Sequence, residues 1–216
     1  MLWKIRSLLI SISAWDENDF QLLRHVQAHD HVKAIERLLN KKGYSPDLEV
    51  TRAYRKTPLI YACKLGNRPV VSLLIQYGAN LNARCPRGMT PLMHAAECTG
   101  DGTYTNLVPK KDVVLEHGLG CWAKVPRDSD YRGCIAVLCA AGAEVNARDK
   151  EGWTALMHAL GMPDLVKELI DCGADPNIRN KEGKTALSMA VHRSSGQDSA
   201  VLFPCSAQIV KDSGGT

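Results

Sequence analysis

His117-x3-Cys121-x12-Cys134-x4-Cys139 has the donor types and the spacing of a structural zinc site. His25 and His29, four apart on one helical turn, are a second pair that could meet a metal, although solvent-facing histidines explain them as simply. Gly183-Lys184-Thr185 imitates the end of a phosphate-binding loop, but that loop needs a glycine where Ile178 stands and a strand before it. A Gly-x-Ser-x-Gly nucleophile turn is absent from the sequence. No set of nucleophile, base and orienting group emerges, so the chain is not expected to be an enzyme and no cofactor is expected.

The composition sets outer limits. The 216 residues suit one or two domains or one repeat array, and 45% hydrophobic with 23% charged residues is ordinary for a folded chain. A net charge of +4, no Lys/Arg run beyond two and only two phenylalanines argue against nucleic acid. Eight cysteines without a Cys-x-x-Cys pair favour reduced thiols in an intracellular, cytoplasmic or nuclear protein. Lys4 and Arg6 precede a short apolar run broken by Ser11 and Ser13, so residues 1–18 are read as a capping or disordered segment, with a signal peptide as the alternative. No stretch approaches the roughly 18 apolar residues of a membrane-spanning helix.

The residues around the candidate ligands belong to a repeat. Thr57-Pro58-Leu59-Ile60-Tyr61-Ala62 returns as Thr90-Pro91-Leu92-Met93-His94-Ala95, and looser copies begin at Thr154 and Thr185. Gly88, Gly152 and Gly183 stand two residues before their threonines, as a turn needing positive φ requires. Each threonine can cap a helix, with Pro58 or Pro91 just inside it. A second helix follows, with Val70, Val71, Leu73, Leu74 and Ile75 in one unit and Ile135, Val137, Leu138 and Leu165, Val166, Leu169, Ile170 in others. These helices end at Gly78-Ala79, Gly142-Ala143 and Gly173-Ala174, the expected left-handed caps, with Asn82, Asn146 and Asn177 beyond them.

Thr-Pro-Leu-x-x-Ala, the apolar second helix and Gly-Ala-x-x-Asn together resemble the ankyrin repeat family over about residues 54–192. The resemblance implies an all-α solenoid of helix–turn–helix units joined by β-hairpin-like loops. It also implies protein binding through the loop tips and the concave face of the first helices. The family histidine after Leu is replaced by Ile60, Met93, Met157 and Ser188, a loss of local hydrogen bonding; His94 and His158 sit one place later. Asn82, Asn146 and Asn177 resemble sites that an asparaginyl hydroxylase modifies in some ankyrin proteins, although bridging of the turn suffices to explain them.

The repeat also revises the metal candidates. Cys134 aligns with Val70 and Cys139 with Ile75, both core positions, where cysteine is a normal small buried residue. The repeat domain is expected over 19–192, with a divergent first unit carrying Leu22, Leu23, Val26, Ile35, Leu38 and Leu39 inward, and an irregular tail over 193–216. The last unit is expected to lack a good second helix, its face covered by Val201, Leu202 and Phe203 or by Ile209 and Val210. Between Thr90 and Thr154 the period doubles. Either a degraded extra repeat or an insertion near 99–129 accounts for this; Pro109 and Pro126 favour the insertion.

Equivalent arginines, Arg84, Arg148 and Arg179, stand six residues before their threonines. With Arg87, Met89, Lys150, Glu151, Trp153, Lys181 and Lys184 they form the candidate partner-binding set, Trp153 being the anchor. The expected function is a monomeric, non-enzymatic scaffold or adaptor for another protein, one with an acidic surface, and not for nucleic acid or membrane. The alternatives are a metal-binding or catalytic module built by the 99–129 insertion around His117 and Cys121, or a regulatory or targeting fragment of a larger enzyme.

Overall fold

The computed structural model describes residue 26 and residues 32–40, 45–47, 57–97, 130–194 and 202–215, with side chains of 192–205 outside the description. Among the described residues the regular structure is helical, without strands. Helix α1 is Val32–Leu39; α2 Pro58–Lys64 and α3 Arg68–Gln76 form the next unit; α4 is Pro91–Ala96 and α5 Tyr131–Ala140. Helix α6, Ala155–His158, runs into a 3-10 turn at Ala159–Gly161 and is followed by α7, Pro163–Asp171; α8 is Ala186–Ser194 and α9 Leu202–Asp212.

Helices α2, α4, α6 and α8 stack in one layer, and α1, α3, α5, α7 and α9 in a second layer behind it. The core lies between the layers. Its largest fully buried side chains are Ile35, Leu59, Ile60, Leu74, Met89, Leu92, Met93, Ile135, Leu138, Leu156 and Met157. The alanines that follow each threonine motif, Ala62, Ala95, Ala96 and Ala159, are buried and keep the front layer close-packed.

The caps are those the repeat requires. Thr57 Oγ1 accepts the Ile60 N–H at 3.4 Å, and Thr90 Oγ1 accepts the Met93 N–H at 3.3 Å. Thr185 and Ser188 cap each other: Thr185 Oγ1 accepts the Ser188 N–H at 3.3 Å, and Ser188 Oγ accepts the Thr185 N–H at 2.9 Å. Ser188 therefore restores bonding at the place of the family histidine, while Ile60, Met93 and Met157 fill that place with apolar volume. Thr154 makes no such cap, and its buried Oγ1 is left without a partner.

Helices α4 and α5 pack against each other, and α4 lies between α2 and α6. The chain thus leaves one unit after Glu97 and re-enters the same unit at Asp130. The re-entry is pinned: the Asp130 N–H donates to Gly66 C=O at 2.9 Å, Arg68 Nη1 lies 3.2 Å from Asp130 Oδ2, and Asp130 Oδ1 caps α5 through the Gly133 N–H at 2.7 Å. The stretch 99–129 itself, with His117 and Cys121, lies outside the described residues, as do residues 1–18, Leu22, Leu23, His25 and His29.

The end of the chain corrects the sequence reading. The stretch after residue 193 is not wholly irregular, because α9 packs on α7 and α8 as the second helix of the last unit. Val210 is fully buried there, and Ser206 with it. The helix closes at Gly214, φ 87°, with the Gly215 N–H on Val210 C=O at 3.0 Å. The serines and glutamine at 194–199 hid this helix by suggesting a terminal loop.

Gly173 (φ 88°) ends α7 in the left-handed region with open space around its Cα, so backbone conformation alone makes a side chain costly there. Gly173→Ala should lower stability by about 1–2 kcal/mol. Gly161→Ala, at a site with room and no positive φ, should be neutral or gain up to about 1 kcal/mol. Thermal denaturation of the two variants against the parent chain checks this; equal losses would contradict the assigned turn.

Candidate protein-binding surface at the hairpin tips

Each tip is a tight turn closed by two backbone bonds. In one, the Gly152 N–H donates to Asp149 C=O at 3.0 Å and the Asp149 N–H to Trp153 C=O at 2.9 Å. In the next, the Gly183 N–H donates to Asn180 C=O at 3.0 Å and the Asn180 N–H to Lys184 C=O at 2.9 Å. Consecutive tips touch directly: the Lys150 N–H donates to Arg87 C=O at 3.0 Å, and the Lys181 N–H to Glu151 C=O at 3.1 Å. A Cβ on Gly88 would lie 2.9 Å from Lys150 N, and one on Gly152 would lie 3.0 Å from Lys181 N, so glycine is needed for approach as well as for φ.

The equivalent arginines are staples. Arg84 Nη1 donates to Gly88 C=O at 3.2 Å within its own tip and to Arg148 C=O at 2.7 Å in the next. Arg148 repeats the pattern, with Nε on Gly152 C=O at 3.4 Å and Nη2 on Arg179 C=O at 2.8 Å. Arg179, at the last tip, keeps the inner bond to Gly183 C=O at 3.0 Å. A fixed planar fork suits this double duty, and lysine could not reproduce it.

A second ladder runs at the far end of the loops. Asp47 Oδ1 accepts the Asn80 N–H at 2.7 Å, Asn82 Oδ1 the Glu144 N–H at 3.0 Å, and Asn146 Oδ1 the Asp175 N–H at 2.8 Å. Asn146 Nδ2 also donates to Gly173 C=O at 3.2 Å, and Asn177 Nδ2 to Gly214 C=O at 3.2 Å. The asparagines therefore bridge unit to unit.

Sequence reasoning missed Asp149 and Asn180. Asp149 Oδ1 accepts the Glu151 N–H at 2.9 Å and the Trp153 N–H at 2.8 Å, and Oδ2 meets His158 Nε2 at 3.0 Å. An ionised carboxylate only accepts, so Nε2 carries the proton. Burial lowers the His158 pKa, opposed by the hydrogen bond and charge of Asp149. Asn180 Oδ1 makes the same turn bonds, accepting from Glu182 at 3.0 Å and Lys184 at 2.9 Å. Their place three residues before the turn glycine was the available signal.

Of the remaining candidates, Lys150, Glu151, Lys181 and Lys184 are exposed, and Lys184 Nζ lies 2.7 Å from Glu182 Oε2. Arg87 is exposed and pairs with Glu97 at 3.0 Å. Trp153 is half-buried, its ring 5.2 Å from the His158 ring at 42°. Met89 is fully buried and has no surface to offer a partner; Arg84 and Arg87 just before it suggested a tip position, whereas its side chain belongs to the core. Asp47, Thr57, Arg84, Arg148, Asp149 and Lys150 help to line a groove of about 650 Å³ beside the tips.

Cys134 is fully buried on α5, and Cys139 lies half-buried beside Cys172, so this half of the zinc-like spacing is packing. Among the described residues no group of three or more His, Cys, Asp or Glu side chains is placed to hold a metal.

Residues 22–115 and 129–209 match the family described as ankyrin repeats (3 copies). The chain belongs to the ankyrin repeat family. It is 30% identical over 131 residues to ankyrin repeat protein FPV244 of fowlpox virus, covering 61% of this chain and 19% of that one. It is 29% identical over 143 residues to mouse ankyrin repeat and SOCS box protein 6, and 30% identical over 146 residues to the human protein of that name. In both cases 63% of this chain and 33% of the relative are covered, so the chain spans a third or less of these relatives.

Two outcomes follow from the staples and ion pairs. Arg148→Met should lower stability by about 1–2 kcal/mol through two lost bonds from a charged donor, measured by urea unfolding. The Glu97 carboxyl is held at about 2 by the close approach of His94 and, against burial, by Arg87, well below its ordinary 4.5. A depressed folded-state value gives stability that is present above about pH 4.5 and lost as pH falls towards 2. The melting-temperature gap between the parent chain and Glu97→Gln should shrink across that window; a gap independent of pH would contradict the assignment.

Proposed function

We propose that the chain is a non-enzymatic scaffold or adaptor that binds another protein through the hairpin tips and the concave front layer. Ankyrin repeats are generally protein–protein interaction modules, and stacked repeats provide extended concave surfaces. The observation that carries the reading is the display of Lys150, Lys181 and Lys184, exposed on tips whose backbones are bonded to one another. Little ordering entropy remains to be lost on binding, because the tips are already fixed.

The exposed lysines favour an acidic partner surface. Arg84, Arg148 and Arg179 add positive field while their nitrogens hold the backbone. Rim charges of this kind act mainly on encounter rate and selectivity, so binding should weaken as salt rises. Glu151 among the lysines opposes any purely electrostatic patch and gives the surface a register. The half-buried Trp153 contributes its outer edge. Among the described residues no helix is long and apolar enough to cross a membrane. A monomer in the cytoplasm or nucleus is the setting this reading proposes.

The test is affinity capture with the parent chain and with Lys150→Glu/Lys181→Glu/Lys184→Glu, circular dichroism first establishing equal helicity. Proteins retained by the parent should be lost from the variant, and lost from the parent as salt is raised. An identical retained set would reject the tip lysines as the contact. These lysines are preferred to Arg148 as probes because replacing Arg148 also breaks the staple.

A further inference from the structure

Helices α5 and α7 lie side by side in the back layer, and each carries a half-buried free cysteine at its end, Cys139 and Cys172. Counted back from the glycine that closes each helix, Cys139 takes the place of Ile75, and Cys172 that of Tyr77 and Ala141. The joint between α3 and α5 therefore presents Ile75 and Ala141 where the joint between α5 and α7 presents two thiols. Either pair satisfies packing, but only the second has redox chemistry.

Two sets of bonds between the same units bracket the thiols. Arg132 Nε lies 2.7 Å from Glu168 Oε2 and so marks the stripe of α5 that faces α7 and the stripe of α7 that faces α5. Cys139 is seven residues beyond Arg132, and Cys172 four beyond Glu168, two turns and one turn along those same stripes. The difference of three residues, about 4.5 Å along the axis, is within the reach of an arginine side chain. Past the thiols, Asn146 Nδ2 donates to Gly173 C=O at 3.2 Å and Asn146 Oδ1 accepts the Asp175 N–H at 2.8 Å, which ties the loop after α5 to the end of α7. Packed helix axes lie about 8–10 Å apart and Cα atoms about 2.3 Å from each axis, so facing Cα atoms come within roughly 4–6 Å, a separation that a disulfide spans. Half-burial places both residues at the solvent edge of the joint, open to a small oxidant.

We propose that Cys139 and Cys172 are a modification site, a thiol pair that hydrogen peroxide closes into a disulfide between neighbouring units. The Cys172 thiolate attacks one peroxide oxygen; an S–O bond forms as the O–O bond breaks, and the departing hydroxide takes up the proton that the thiol released. The Cys139 sulfur then attacks the Cys172 sulfenic acid. The S–S bond forms as the S–O bond breaks, and the second hydroxide leaves as water with the Cys139 proton. Two thiols are oxidised, and one peroxide is reduced to two waters. The order of attack follows from the surroundings: burial, with Cys172 alongside, pushes the Cys139 thiol up to about 12 and makes it the poorer starting nucleophile. The product ties together the back helices on either side of the Lys150 tip.

The experiment treats the reduced full-length chain with hydrogen peroxide at pH 7, dilute enough to suppress links between chains. Remaining thiols are alkylated and the tryptic peptides mapped by mass spectrometry. Cys139–Cys172 should be the dominant link, joining peptides 133–148 and 168–179, with fragmentation separating Cys139 from Cys134. The oxidised chain should melt about 5 °C above the reduced one and fall back on reduction. Cys139→Ala should abolish both the link and the shift; should it fail to fold, Cys172→Ala, which installs the residue found at 141, makes the same test. Peroxide that leaves both thiols free, carries Cys172 to the sulfinic acid without a link, or joins either cysteine preferentially to another overturns the proposal. A Cys139–Cys172 link that lowers the melting temperature also overturns it, because bridging two residues that already face each other should not strain the joint.

Discussion

Backbone touches backbone between consecutive tips, and much else in the stack follows from that contact. The bonds Lys150 N–H to Arg87 C=O and Lys181 N–H to Glu151 C=O leave no space for a Cβ on Gly88 or Gly152. They bring the carbonyls of Arg148 and Arg179 within reach of the preceding guanidinium, at 2.7 and 2.8 Å. The close contact thus creates the acceptors that the arginines then satisfy. Around Gly183, the last tip, a Cβ would meet nothing, because no further described tip lies against it. The same glycine type therefore answers two constraints inside the stack and one, positive φ, at its end.

With the backbone frame fixed, one side-chain position per tip is free to vary in chemistry, provided it can accept two N–H bonds. Asp149 brings a full charge and takes a histidine as its partner; Asn180 brings a neutral amide and lies against Met189 Sδ at 4.0 Å. The partner on the front-layer helix changes with the acceptor. A charged acceptor with an apolar neighbour would leave half of its lone pairs unanswered in a buried site. Each tip is consequently a matched pair nine residues apart, and a substitution at one member changes what the other can tolerate.

The front-layer starts were legible because their chemistry is local. Threonine caps, proline at the first helical position and glycine at positive φ each act within a few residues, so Thr57-Pro58 and Thr90-Pro91 read directly as helix starts. Unit-to-unit bonds are less legible. Arg84, Arg148 and Arg179 were visible as a periodic set, but sequence spacing does not say whether a guanidinium meets solvent or the next carbonyl. Met89 was misplaced for a related reason: one residue separates an exposed turn from the core, and the arginines just before it, Arg84 and Arg87, gave no sign of the reversal. Helix α9 was obscured by composition. Its own apolar residues, Ile209 and Val210, were seen, but not the helical register that brings Val210 against the preceding unit.

The division of labour among the basic residues bears on what the surface can do. An arginine bonded to two backbone carbonyls, as Arg84 and Arg148 are, cannot leave them for a partner without releasing the next tip. Lysine at 150, 181 and 184 lacks such a commitment to the backbone ladder, and its flexible stem lets the charge adapt. Rigidity and recognition are therefore assigned to different cations at neighbouring positions. Variation at the lysines can alter a partner's charge preference without altering the pitch of the stack, whereas variation at the arginines changes both. A repeat surface with this separation can diversify its contacts while the glycines, threonines and arginines that set its geometry stay in place.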